Sequence, residues 1–140
     1  MLFGEYQHSI DAKGRVNFPS KLREELGTTF MICKGLGDPC LFVYSMESFA
    51  ELQQKLDELP MAQSKPLKRF IFAGACEAEP DKQGRIIIPA ALRSYANLTK
   101  DVVVIGASSR AEIWDKDLWD KCSEEITPDF VAQAVQGLNI

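Results

Sequence analysis

Apolar and polar residues alternate along this chain in a pattern that predicts the same elements twice. Strands are predicted where the period is two, and helices where apolar residues recur every three or four positions. In each half the predicted order is strand, turn, strand, short helix, strand, strand and helix. The predicted strands cover residues 3–10, 15–18, 29–34 and 40–44 in the first half, and residues 85–88, 101–105 and 111–114 in the second.

Helix starts are predicted at equivalent positions of the two halves. Proline ends strand pairing and suits the first turn of a helix, so short helices are predicted at 19–26 and 89–96. Leu22 and Leu92 are expected on the inner faces of these helices.

The longer helix of each half is predicted to follow a capping residue. Ser45 and Asp115 are the predicted N-caps, because their side chains can accept a bond from a backbone amide in the first turn. Tyr44 and Trp114 immediately precede these caps and are predicted to be core anchors.

The clearest feature of the chain is a doubled motif. Residues 11–23 read DAKGRVNFPSKLR and residues 81–93 read DKQGRIIIPAALR, with Asp, Gly, Arg, Pro, Leu and Arg at identical positions 70 residues apart. A chain that repeats itself at half its length contains two copies of one small module. Modules of roughly 65 to 70 residues bury a modest fraction of their surface and are marginally stable alone, so we expect them to pack together or to assemble between chains.

We predict a first module at 1–59, a helical connector at 60–76 and a second module at 77–140. Prolines and polar residues at 59–66 mark the connector, and a helix at 68–73 is predicted to precede the second copy of the motif.

Two apolar stretches are expected to be buried. Residues 85–88 are apolar after the arginine and predict a more buried strand than residues 15–18. Thr127 and Pro128 predict a capped helix start, and the apolar stripe that follows is expected to pack into the core, with a partner-binding surface as the alternative. The residues of this stripe are Phe130, Val131, Ala134, Val135 and Leu138.

Composition is typical of a globular protein. Hydrophobic residues make up 46% of the chain and charged residues 26%, which excludes a disordered polypeptide. No apolar run approaches the roughly 18 residues of a membrane span, and the first residues do not have the pattern of a secretion signal. The four cysteines lack CxxC spacing and are expected to be buried free thiols of a cytosolic protein.

Charge is distributed unevenly around a net value of −4. Residues 1–70 contain nine basic and nine acidic side chains, whereas residues 71–140 contain seven and eleven. Within the repeated stretches the sign reverses, so a polyanion, if one is bound, is bound at specific places. The basic residues of these stretches are Lys13, Arg15, Lys21 and Arg23 in the first copy, and Lys82, Arg85 and Arg93 in the second.

The Asp-x-x-Gly-Arg element suits anion recognition. Gly14 and Gly84 allow a turn conformation that a side chain would resist, and the arginine that follows is pre-positioned and always charged. Its planar fork suits phosphate oxygens and the O6/N7 edge of guanine, while the aspartate can accept bonds from turn amides or orient the arginine. The alternative is a structural turn with the arginine in an internal salt bridge. Finding the element twice, inside a longer match, favours the functional interpretation.

The sequence offers little for catalysis. His8 is the only histidine, so neither a His-based triad nor a histidine-rich metal site can form within one chain, and we expect it to have a packing role. No Walker or Rossmann glycine loop is present. Exposed aromatics interleaved with basic residues, which RNA stacking would need, are absent as well. We therefore predict no enzyme activity, no cofactor, no metal ion and no small-molecule substrate.

The chain resembles the MraZ family of bacterial transcriptional regulators, which have two tandem SpoVT/AbrB-like modules. The resemblance covers essentially the whole chain. It rests on Phe3 and Gly4 with His8, on the two Asp-x-x-Gly-Arg turns followed by Pro19 and Pro89, on the strand VVVIG, and on the segment from Glu112 to Asp115.

The resemblance implies a mixed α+β fold in which two tandem AbrB-like swapped-hairpin β-barrel modules form a pseudo-dimer. It also implies a homo-oligomeric ring in the cytoplasm, associated with the nucleoid, with double-stranded promoter DNA as its partner. The implied function is sequence-specific regulation, usually repression, of the division and cell-wall gene cluster at short direct repeats in the protein's own promoter. An antitoxin-like or scaffolding protein-binding module with no specific DNA target is the alternative.

The predicted DNA-binding residues are divided between the two copies. We expect Arg15 to contact a base edge, with Arg85 as the second candidate, and we expect phosphate contact mainly from Lys13, Lys21 and Arg23. The predicted DNA-binding set is Arg15, Lys13, Arg85, Lys21, Arg23, Lys82 and Gln83, and the predicted orienting set is Asp11, Gly14, Asp81 and Gly84.

Overall fold

The structure, a computed structural model, describes all 140 residues and is a mixed α+β fold. Its strands are β1 Glu5–Ser9, β2 Arg15–Asn17, β3 Phe30–Lys34, β4 Leu41–Ser45, β5 Cys76–Ala78, β6 Arg85–Ile87, β7 Asp101–Gly106 and β8 Ala111–Asp115. Its helices are α1 Ser20–Leu26, α2 Met46–Asp57, α3 Met61–Phe72, α4 Ala90–Tyr95, α5 Lys116–Glu125 and α6 Pro128–Ala134.

A six-stranded antiparallel sheet joins the two halves of the chain through exchanged strands. Its strand order is β1-β7-β8-β4-β3-β5. The first strand of each half pairs with the third strand of the other half: β1 pairs with β7, and β5 pairs with β3. The halves meet again where β4 pairs with β8. Each half therefore completes its sheet only with a strand from the other.

The two strands that carry the motif arginines form a separate ribbon. β2 pairs antiparallel with β6, and Val16 lies opposite Ile86 at its centre. Both side chains are buried and belong to the main hydrophobic core, which α1 and α4 also cover with Leu22 and Leu92. The prediction that these two leucines face inward is confirmed.

Apolar side chains on the two faces of the sheet form two separate clusters. In β4, Leu41 and Val43 join the main core, while Phe42 and Tyr44 join a second cluster beneath α2 and α3. This division follows from the pleat, because successive side chains of a strand point to opposite faces. Tyr44 and its counterpart Trp114 are both buried in the second cluster, as predicted.

The predicted helix caps are confirmed. The Ser45 side chain accepts a hydrogen bond from the Ser48 amide at 3.1 Å, and the Asp115 carboxylate accepts one from the Leu118 amide at 3.2 Å. Thr127 caps α6 in the same way. Each cap satisfies an amide that the first turn of a helix leaves without a partner.

The prediction that residues 85–88 form a more buried strand than residues 15–18 is wrong. β2 and β6 have the same burial pattern, and the Ile87 side chain is 64% exposed. An unbroken apolar run hides the alternation of a strand, and here no element covers the outer face of the ribbon.

The connector differs from its prediction in extent. A single helix, α3, covers Met61–Phe72 within the connector, and it begins seven residues before the helix predicted at 68–73. Pro60 precedes the first turn, where its missing amide costs little, and Pro66 lies inside the helix at the expense of one hydrogen bond.

The expected burial of the C-terminal stripe is also wrong. No residue of α6 is buried, and Phe130 and Leu138 are 58% and 61% exposed. Helical periodicity predicts only that one face is apolar, and this helix extends beyond both cores of the chain.

No helix in the structure combines the length and the apolar character that crossing a membrane requires. All four cysteines are free thiols, and Cys33 and Cys40 are fully buried. Burial raises the pKa of Cys33 to about 12, so its thiol stays protonated.

Candidate nucleic-acid interface

The ribbon of β2 and β6 places both motif arginines on one outer face. Arg15 lies opposite Ile87, and Asn17 lies opposite Arg85. Because side chains alternate along a strand, these four residues point away from the core while the central pair, Val16 and Ile86, points into it. The strand pairing thus brings together two residues that lie 70 positions apart in the sequence.

In the first turn, one aspartate organises the backbone and the arginine together. One oxygen of Asp11, Oδ1, accepts hydrogen bonds from the amides of Lys13 and Arg15, both at 2.9 Å. Its other oxygen, Oδ2, accepts a bond from Arg15 Nε at 2.7 Å. Gly14 completes the turn with a φ of +83°, a conformation that favours glycine.

The second turn repeats this geometry. Asp81 Oδ1 accepts from the amides of Gln83 and Arg85, both at 2.9 Å, and Asp81 Oδ2 accepts from Arg85 Nε at 3.0 Å. Gly84 has a φ of +79°. Both aspartates therefore accept turn amides and also hold their arginines.

These hydrogen bonds stabilise the ionised form of each aspartate. The bond from the Arg15 amide, followed by the bond from its side chain, lowers the pKa of Asp11. The Arg85 amide lowers the pKa of Asp81 in the same way. Both carboxylates are therefore charged near neutral pH and keep their hold on the arginines.

Each aspartate engages only the Nε atom of its arginine. The Nη atoms of Arg15 and Arg85 form no hydrogen bond within the chain, and the side chains of Arg15 and Arg85 are 33% and 32% exposed. The internal salt bridge and the outward display of the arginine thus occur together, so the two alternatives raised by the sequence do not exclude each other.

The second arginine of each motif braces the turn of the other copy. Arg23 Nε donates to the Phe18 carbonyl at 3.1 Å, and a Cβ added at Gly84 would lie 3.0 Å from Arg23 Nη2. In the reciprocal arrangement Arg93 Nε donates to the Ile88 carbonyl at 3.0 Å and packs against Gly14. This structural role was not predicted, although the shared Pro-x-x-Leu-Arg ending of the repeat was its signal.

The predicted polar residues of the turns lie around the ribbon. Lys13, Lys82 and Gln83 are exposed on the two turns, and Lys21 is exposed on α1. None of the three lysines forms a salt bridge within the chain. Their charges are free to meet an external anion.

An acidic edge borders the second half of the ribbon. Glu77 and Glu79 line a shallow hollow together with Arg15, Arg85 and Ile87. The corresponding residues of the first half are the uncharged Gln7 and Ser9. The sequence analysis missed this difference because it compared the turns and not the strands that lead into them.

No cluster of three or more His, Cys, Asp or Glu side chains is arranged to hold a metal ion. His8 is half-buried in β1, and burial lowers its pKa, so the imidazole is neutral at pH 7.

Comparison with known proteins identifies the repeat. A family model described as "MraZ protein, putative antitoxin-like" matches residues 1–67 and, a second time, residues 71–138. A protein of Acetivibrio thermocellus named "Transcriptional regulator MraZ" is 51% identical over 144 aligned positions, covering all of both chains. A protein with the same name from Caldicellulosiruptor saccharolyticus is 50% identical over all of both chains. Another, from Heliobacterium modesticaldum, is 52% identical over 93% of this chain and 92% of the relative.

The chain belongs to the MraZ family. Each of the two matched ranges contains one Asp-x-x-Gly-Arg turn, and the ribbon is a place where the two matched ranges meet. The resemblance seen in the sequence is thus confirmed for the chain as a whole.

Proposed function

We propose that this member of the MraZ family is a sequence-specific DNA-binding transcriptional regulator. It represses the division and cell-wall gene cluster by binding short direct repeats in its own promoter. The observation that carries the proposal is the ribbon, which displays two arginines on one exposed face with their Nη atoms unpaired. The names of the relatives support a role in transcription.

The shape of the ribbon suits the major groove. A two-stranded β-ribbon fits this groove, which is about 12 Å wide, and an arginine can donate two bonds to the O6 and N7 atoms of guanine. Asp11 and Asp81 hold Arg15 and Arg85 by Nε, so the Nη atoms are pre-positioned for such a contact. Pre-organisation reduces the entropy lost when the side chains bind.

Flanking cations supply the phosphate contacts. Lys13 and Lys82 lie on the two turns, and Lys21 lies on the first short helix. Each phosphate contact adds about 0.9 to the magnitude of the slope of log affinity against log salt concentration. The acidic remainder of the chain confines this attraction to the surroundings of the ribbon.

The two modules act as an intramolecular pseudo-dimer of swapped-hairpin barrels, with boundaries at 1–59, 60–76 and 77–140. The exchange of β1 and β5 between halves supports this description. Several chains assemble into a ring on the nucleoid in the cytoplasm, which lets weak sites on adjacent DNA repeats act together. The exposed apolar face of α6 is available for such assembly.

The test is a fluorescence-anisotropy titration of the wild type and Arg15→Ala. The probes are DNA from upstream of the protein's own gene cluster and a scrambled duplex, each at two salt concentrations. We expect tight, salt-sensitive binding that prefers the promoter and falls at least tenfold in the variant. Equal and weak binding to both duplexes, unchanged by Arg15→Ala, would refute the proposal.

A protein-binding module of the antitoxin-like type is the second candidate function. The exposed Phe130, Val131 and Leu138 on and after α6 favour it, as does the wording of the family description. In that case Arg15→Ala would leave the interaction intact, while Phe130→Ser would abolish it. A DNA role predicts the reverse for promoter binding by the isolated chain.

A further inference from the structure

The outer face of the ribbon contains two residues that the two copies do not share. Asn17 in β2 corresponds to Ile87 in β6, at the same distance from each motif arginine. The Asn17 side chain is exposed and forms no hydrogen bond within the chain, and the Ile87 side chain is 64% exposed. Neither side chain supports the fold, because the packing of the ribbon is supplied by Val16 and Ile86.

The strand register gives each arginine a different neighbour. Ile87 lies directly opposite Arg15, and Asn17 lies directly opposite Arg85. Directly opposed residues of an antiparallel pair have Cβ atoms about 5 Å apart. One end of the ribbon therefore displays an arginine beside an isoleucine, and the other end displays an arginine beside an asparagine.

These neighbours match different base edges of the major groove. An apolar side chain contacts the C5-methyl group of thymine, while asparagine bonds to the N6 and N7 atoms of adenine. The rim of the hollow around Ile87 is charged, with Arg15, Arg85 and Glu77. An isoleucine exposed among charged side chains is suited to contact an apolar group, such as a methyl group, of a ligand that is otherwise polar.

We propose that Ile87 and Asn17 are specificity-determining residues that read the bases beside the two arginine contacts. The Arg15 end reads guanine with a neighbouring thymine, and the Arg85 end reads guanine with a neighbouring adenine. The chain therefore recognises a non-palindromic site and binds DNA in one direction. This inference rests on the proposed DNA-binding function.

The test replaces single atoms of the DNA. Full-length protein is titrated with its preferred promoter duplex, in which each thymine in turn is replaced by deoxyuridine and each adenine by 7-deazaadenine. Loss of one buried methyl group should weaken wild-type binding about fourfold at a thymine beside the Arg15 contact. Loss of the adenine N7 should weaken it about tenfold at the other end.

Matched variants assign each effect to its residue. Ile87→Ala should lose the response to deoxyuridine and keep the response to 7-deazaadenine, and Asn17→Ala should do the opposite. Met61→Ala removes another largely exposed apolar side chain, from α3, and should keep both responses. Ile87→Asn gives both strands the same outer pair, so a site selected from random DNA should become palindromic.

The outcomes separate this inference from the function on which it rests. The specificity proposal is wrong if the wild type prefers the promoter but responds to no single replacement in the DNA. It is also wrong if Ile87→Ala and Asn17→Ala keep the wild-type responses. In both cases the DNA-binding function stands. If the wild type does not prefer the promoter at all, the function itself fails and the specificity proposal fails with it.

Discussion

The two Asp-x-x-Gly-Arg turns have one backbone geometry and two different surfaces. Both use an aspartate to hold two amides and an arginine Nε, and both place glycine at a positive φ. Around this frame the first turn exposes Lys13 where the second exposes Gln83. The strand leading to the second turn contains Glu77 where that of the first contains Gln7.

Apart from Arg15 and Arg85, which are shared and also displayed, the difference separates structural residues from residues available for recognition. Positions that are identical in the two copies make contacts within the chain: the aspartates and glycines form the turns, the leucines enter the core, and the last arginines brace the opposite turn. Positions that differ lie mostly on the exposed surface. We infer that the shared residues build one ribbon and that the unshared residues give its two ends different tasks.

The largest expected effect on stability follows when a glycine of the shared frame is substituted, and its size should differ between the two turns. A Cβ at Gly14 would lie 2.7 Å from the backbone oxygen of Ile88, whereas at Gly84 the nearest atom is the flexible end of Arg23 at 3.0 Å. Gly14→Ala should therefore lower the free energy of unfolding by about 3 kcal/mol, and Gly84→Ala by about 1 to 2 kcal/mol. Urea denaturation measures both, and equal losses would contradict the difference in space around the two turns.

A smaller effect should appear when the reciprocal brace is removed. Arg23→Lys and Arg93→Lys keep the charge but lose the planar fork that contacts the other copy. Each should lower the free energy of unfolding by about 1.5 kcal/mol, at the lower end of the range for one hydrogen bond to a charged group. A loss in only one of the two variants would show that the brace is not reciprocal.

Much of this frame could be predicted from the sequence, because its signals are local. The glycine turns and the caps at Ser45 and Asp115 each depend on residues a few positions apart, and the repeat is recognised by comparing two short stretches of sequence. What the sequence did not reveal depends on contacts between distant segments, such as Arg23 against the second turn. The exposure of Ile87 was missed for the same reason, since burial depends on what covers a strand and the apolar run gives no sign of it.

Substituting the turn residue of one copy by that of the other should remove the electrostatic difference between the two turns at this position. Lys13→Gln removes one cation from the first turn, and Gln83→Lys adds one to the second. The logarithm of promoter affinity falls linearly with the logarithm of salt concentration. With one phosphate contact per lysine, the magnitude of this slope should decrease by about 0.9 in Lys13→Gln and increase by about 0.9 in Gln83→Lys. Lys65→Gln, on α3, is the control and should leave the slope unchanged. A change as large in this control would mean that overall charge governs binding.

The smallest effect concerns the pH dependence of stability. Burial lowers the pKa of His8, so the folded state resists protonation that the unfolded chain accepts near pH 6.5. The free energy of unfolding is therefore highest above that pH and falls as the pH is lowered towards 5. The lowered pKa values of Asp11 and Asp81 add a further loss only below about pH 4. His8→Gln should flatten the profile between pH 7 and 5, and an unchanged profile would contradict this assignment.

The most direct test of DNA recognition by the ribbon compares two variants of equal charge. Arg15→Ala/Arg85→Ala removes two cations from the ribbon, and Lys65→Ala/Arg69→Ala removes two exposed cations from α3. Both should be titrated by fluorescence anisotropy with the same promoter duplex. We expect the ribbon variant to lose at least about 30-fold in affinity together with its preference for the promoter, and the α3 variant to lose less than about threefold. Equal losses in the two variants, or wild-type binding by the ribbon variant, would contradict recognition by the ribbon.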